Sequence, residues 1–109
     1  MTNEEIIAGN KLIALSKYSN ADIRQWVEEF DKKIPDRFCL NVLDYHKNIA
    51  SLMDVLESIE KNGCIIEISI SLGRNCRIYN IRTGKNFYSE DISLINACYK
   101  AVLEYLISD

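Results

Sequence analysis

Apolar and polar residues alternate one for one through the middle of the chain: Ile66, Ile68, Ile70 and Leu72 are separated by Glu67, Ser69 and Ser71. A period of two puts successive side chains on opposite faces, so this stretch predicts a half-buried antiparallel strand. Gly73-Arg74-Asn75 interrupts the pattern and a second extended run begins at Cys76, which predicts a hairpin with a three-residue loop pairing Leu72 with Cys76.

Helical periodicity flanks the hairpin on both sides. Thr2 and Glu5 form a capping box ahead of Ile6, Gly9 and Ile13, predicting a helix that runs to about Ser16. Ile23, Trp26, Val27 and Phe30 follow at i, i+3, i+4 and i+7, an amphipathic helix over 21–33 stopped by Pro35. Arg37 to Tyr45 reads as a strand with Phe38, Leu40 and Val42 on one face. Asn48 caps a further helix with the stripe Ile49, Leu52, Met53, Leu56 and Ile59, and Asn62-Gly63 supplies its left-handed stop. A short third segment of the sheet is expected at Asn86 to Tyr88. A C-terminal helix begins near Ser89 or Asp91 and carries Ile95, Cys98, Tyr99, Val102 and Leu106 on its apolar side. The order ααβαββ(β)α predicts an α+β fold, a small antiparallel sheet of three or four strands covered by helices.

Size and composition bound this picture. The 109 residues predict a single α+β domain over 1–109, and 48% hydrophobic residues suffice for a modest core. No apolar run approaches the roughly 18 residues of a membrane span, and the start, Met1-Thr2-Asn3-Glu4-Glu5, is acidic where a secretory signal would be basic. The expectation is a protein of a bacterial cytoplasm, with no membrane partner. Cys39, Cys64, Cys76 and Cys98 form no CxxC and share the chain with a single histidine, so they predict buried reduced thiols rather than a metal site, and no cofactor.

Some segments carry a resemblance. Gly9-Asn10-Lys11-Leu12-Ile13-Ala14, Tyr45-His46-Lys47, Leu52-Met53, Ile59-Glu60 and above all Ala97 to Leu106 look like the corresponding motifs of small uncharacterised phage and prophage proteins of the phage ABA-sandwich type. The resemblance implies an α/β/α layering and an origin in a mobile element, and it transfers no catalytic residue. The chain departs from those proteins at Asn48-Ile49-Ala50-Ser51, where they often carry tryptophans, and in the helix over 21–33, where they tend to a shorter, strand-like connection.

Charge adds candidate chemistry. Arg74, Arg77, Arg82 and Lys85 stand without an acid between Gly73 and Phe87, in a chain of net charge −3. Guanidinium groups on a hairpin suit bidentate contact with phosphate, and Tyr79, on the face of Arg77, could stack on a base. The competing reading is a charged sheet edge that discourages edge-to-edge pairing. The acidic balance disfavours non-specific duplex DNA binding. Arg82-Thr83-Gly84-Lys85 lacks the spacing of a phosphate loop and reads as a turn. His46, where a strand hands over to a helix, is the one candidate for a general base, and no serine or carboxylate is tied to it by a motif.

Three functions follow as expectations. The first is a small non-enzymatic binding protein that contacts a host or phage protein, through Trp26 and Phe30 or as a homodimer. The second is a nucleotide or signalling-molecule binding module that uses the arginine hairpin to hold a small phosphate-bearing ligand. The third is a hydrolase that depends on His46.

Overall fold

The computed structural model describes residues 1–16, 36–70 and 73–108, which form two units, 1–44 and 45–109. The helix expected over 21–33, with Trp26 and Phe30, lies outside the described residues. The described elements are α+β in the order α-α-α-β-β-β-α.

In the first unit, α1 (Asn3–Ser16) starts and ends where the pattern predicts. The Thr2 hydroxyl accepts from the Glu5 amide at 3.2 Å and donates to the Glu5 carboxylate at 3.2 Å. The strand expected from Arg37 to Tyr45 is instead a short helix, α2 (Asp36–Asn41), with the chain leaving helical geometry near Val42. Two observations explain the difference. Cys39 is fully buried while Leu40 is half-buried and Val42 exposed, so the apolar alternation does not mark one covered face. Asn10 of α1 is also buried, and its Nδ2 donates to the Cys39 carbonyl at 2.6 Å and the Leu43 carbonyl at 2.9 Å. The first lies in the last turn of α2, where a helix end leaves carbonyls without an intrahelical partner, and the second just beyond it.

The second unit holds the sheet. Its first helix, α3 (Ile49–Lys61), is capped by Asn48, whose Oδ1 accepts from the amides of Ala50 (3.0 Å) and Ser51 (3.4 Å). It ends at Asn62-Gly63, where Gly63 adopts φ +97° and its amide reaches the Glu60 carbonyl at 3.0 Å. Strands β1 (Cys64–Ser69), β2 (Arg74–Asn80) and β3 (Asn86–Asp91) make a three-stranded antiparallel meander in chain order. Helix α4 (Leu94–Ser108) closes the unit. It begins later than the pattern suggested because β3 continues to Asp91, whose Oδ1 then accepts from the Ser93 amide at 3.1 Å.

The hairpin register corrects the expected one. Ser69 faces Asn75 and Ile68 faces Cys76, so β2 starts at Arg74, two residues earlier than expected. Leu72 lies outside the described residues. The observed register is displaced by an even number of positions from a Leu72–Cys76 pairing, so each side chain keeps its expected face. Cys64, Cys76, Ile78, Phe87 and Ser89 point to the buried side, where α4 packs on β2 and β3, and α3 packs on β1 and α4. Tyr105 meets the Phe87 ring edge-on, with centroids 5.7 Å apart.

Among the described residues no helix is long and apolar enough to cross a membrane. All four cysteines are buried and unbridged, as expected. Cys64 faces Asn80 whereas Cys76 faces Ile68, so these two stand four ladder positions apart.

Candidate functional site

Among the described residues of the second unit, no helix packs on the side of the sheet opposite α4. Three cross-strand rows cover it: Ile65–Tyr79–Asn86, Glu67–Arg77–Tyr88 and Ser69–Asn75–Glu90. Ile65, Tyr79 and Tyr88 remain 47%, 37% and 42% exposed, high values for large side chains on a pleated surface. Arg77 occupies the centre. Its Cζ lies 5.4 Å from the centroid of the Tyr88 ring, and its Nη1 is 3.9 Å from Glu67 Oε2. Both contacts are solvated, so each contributes under about 1 kcal/mol. They orient the guanidinium more than they hold it.

Tyr88 and Tyr79 are diagonal neighbours on adjacent strands, about 7 Å apart by the register that sets Arg77 opposite Tyr88 and Tyr79 opposite Asn86. The Tyr88 hydroxyl donates to Glu90 Oε2 at 3.2 Å. Partial desolvation on the face, then the Glu90 carboxylate, push its phenol above the usual value. Glu90 itself reaches over Gly73, where an added Cβ would stand 2.8 Å from Glu90 Oε1.

The arginine hairpin does not form one cluster. Arg74 and the turn bearing Arg82 and Lys85 lie at opposite ends of β2, about 20 Å apart at about 3.4 Å per residue. Arg74 Nη1 donates to the Ile92 carbonyl at 2.8 Å, beside a shallow depression lined by Ile70, Gly73, Glu90, Asp91 and Ile92. Lys85 Nζ donates to the Ser108 carbonyl at 2.9 Å, at the negative end of the α4 dipole. Of the six candidates, Arg77 and Tyr79 alone share the centre of a face.

Residues 82–85 form the expected turn. The amides of Arg82 and Thr83 donate to Asn80 Oδ1 (3.0 and 3.3 Å), that of Gly84 to the Asn80 carbonyl (2.9 Å), and that of Lys85 to Thr83 Oγ1 (3.3 Å). Four consecutive amides are thus satisfied within the turn, and an anion would have to displace those bonds to be cradled there.

His46 is half-buried beside the core, its ring 6.5 Å from that of Tyr99 in an edge-on arrangement. Tyr99 is fully buried, and burial raises its phenol well above the usual value. Cys76 and Cys98 lie against each other inside the sheet–helix layer. The hydrogen bond between their sulfurs and their burial push the Cys76 thiol upward and hold it protonated. Among the described residues no group of three or more His, Cys, Asp and Glu side chains is placed to hold a metal ion.

Tyr88 is the member of the open face that sequence reasoning missed. It sat in a segment read as three residues long, and only the β2–β3 register sets it opposite Arg77. Comparison of the chain with protein-family models, with curated proteins and with solved structures finds no match in any of the three.

Proposed function

We propose that this protein is a small binding protein that acts by contact with another protein, a host or phage component, through the open face of its sheet. One observation carries the reading: Tyr79 and Tyr88 stand solvent-exposed around Arg77, with Ile65 beside them, on a face whose reverse is closed by helices. Tyrosine and arginine are enriched at interface centres, and here they stand together with Ile65, Asn75 and Asn86, while Glu67, Ser69 and Glu90 share the face. The rings are held by a rigid sheet, so ordering them on binding costs little entropy. The resemblance to phage and prophage proteins supports a mobile-element origin and a bacterial cytoplasmic setting.

The test compares wild type with the double variant Tyr79→Ser/Tyr88→Ser as bait in a bacterial extract, with circular dichroism as the control for folding. A host or phage polypeptide retained by wild type and reduced at least tenfold with the folded variant supports the reading. Equal retention by both sinks it.

The diagonal spacing of the tyrosines favours one further reading. About 7 Å leaves room for a planar ring between two others, with Arg77 beside it for a phosphate. This is the nucleotide-binding module narrowed to Arg77, Tyr79 and Tyr88, with Arg74, Arg82 and Lys85 outside it. Calorimetric titration of mono-, di- and cyclic nucleotides into wild type and Arg77→Ala decides it: saturable binding weakened tenfold or more in the variant supports it, and no heat from wild type removes it.

A further inference from the structure

Asn62-Gly63, at the junction of α3 and β1, is the one place in the chain where glycine follows asparagine. Both residues are exposed, and a Cβ built on Gly63 would meet nothing within 4 Å. Asparagine is a thermolabile residue because its side-chain carbonyl carbon lies within reach of the next backbone nitrogen. A following glycine, with no Cβ, leaves that approach unobstructed. The binding role of the open face makes no use of this corner.

We infer that Asn62 is a site of spontaneous covalent modification, converted to aspartate or isoaspartate at a pace set by the α3 C-cap, and that the conversion loosens the α3–β1 junction. The Gly63 nitrogen loses its proton and attacks Asn62 Cγ. The new N–C bond closes a five-membered imide, and the side-chain nitrogen leaves as ammonia, carrying an equivalent proton. Water then opens the imide at either carbonyl. Cleavage at Cγ restores the peptide with aspartate in place of asparagine. Cleavage at the main-chain carbonyl carries the backbone through Cβ and Cγ instead. Water is the only co-reactant.

In the fold this reaction is held off. The Gly63 amide donates to the Glu60 carbonyl at 3.0 Å, so its proton is engaged. Asn62 has ψ 9°, which nearly eclipses the Gly63 nitrogen with the Asn62 nitrogen, whereas the ring requires it beside Cβ. The Gly63 carbonyl also accepts from the Ile81 amide at 3.2 Å, extending the β1–β2 pairing one residue beyond Cys64 and Asn80. Ring closure therefore waits for this corner to open locally. Neither product closes it as well again. A carboxylate at position 62 stands at the negative end of the α3 dipole, and the isoaspartyl backbone is one carbon longer between helix and strand.

The test incubates wild type and Asn62→Ser at mildly alkaline pH, native and in urea. Peptide mass spectrometry follows the amide-to-acid change, and chromatography separates the two acid products. In urea Asn62 should convert ahead of every other asparagine, and in native protein at least tenfold more slowly. The native rate should follow the exchange rate of the Gly63 amide in the same buffer. Converted wild type should unfold at lower urea, while Asn62→Ser, folded by circular dichroism, keeps its midpoint through the same incubation. No conversion of Asn62 in urea, earlier conversion of another asparagine, equal rates with and without urea, or an unchanged midpoint after conversion overturns the proposal.

Discussion

Asn10 does for the first unit what a cap does for a single helix. Its amide closes two carbonyls of the α2 region from a neighbouring element, and it is fully buried while doing so. Asn10→Leu should therefore destabilise the unit by about 2 kcal/mol, since one buried and one half-buried carbonyl lose this donor; urea unfolding would read this as a lowered midpoint. The sequence gives no sign of this role, because an asparagine on a helix announces nothing about whether it faces solvent or a carbonyl. Tyr88 was hidden for a similar reason: its importance comes from standing opposite Arg77, a relation between strands. Arg77 and Tyr79, by contrast, were legible together because alternation within one strand places them on one face. Asp91 offers a test with a sign. Its hydrogen bond to Lys100 at 2.7 Å, then that from the Ser93 amide, lower its pKa in the fold, whereas the unfolded carboxyl titrates near about 3.9. The pair thus contributes fully above about pH 4 and is lost as the pH falls through the folded value. The stability gap between wild type and Lys100→Met should be widest at neutral pH and close in acid.

At the scale of elements, the helix ends of α3 were readable one residue at a time. Asn48 and Gly63 each satisfy a local rule that needs no tertiary partner. Asn48→Ala and Gly63→Ala should each cost about 1 kcal/mol, the first through lost amide partners and the second because φ +97° strains any Cβ; thermal melts of the two variants would show comparable shifts. The faces of the hairpin were legible as well, since the alternation of Ile66 and Ile68 with Glu67 is independent of register. The register itself was not, because nothing in residues 70–73 reports how many of them leave the ladder. The segment from Arg37 to Tyr45 misled because a short apolar run suits strand and helix equally. There the deciding contact came from Asn10, far along the chain.

For the whole molecule, the cysteines give the most direct check on the core. Cys39, Cys76 and Cys98 are fully buried and Cys64 nearly so. A thiol reagent should label all four in denaturant, and in native protein only at the rate at which the structure opens; a thiol that reacts natively at the speed of free cysteine would contradict this packing. The chain-order meander has a consequence in time rather than in energy. β1 pairs with β2, β2 with β3, and α4 returns onto the strands just laid down, so each step of assembly joins neighbours across a short loop. Little chain entropy is spent before a contact rewards it. The sheet unit should refold on the millisecond scale expected of local topologies, and stopped-flow fluorescence of Tyr99, Tyr105 and their neighbours would follow it.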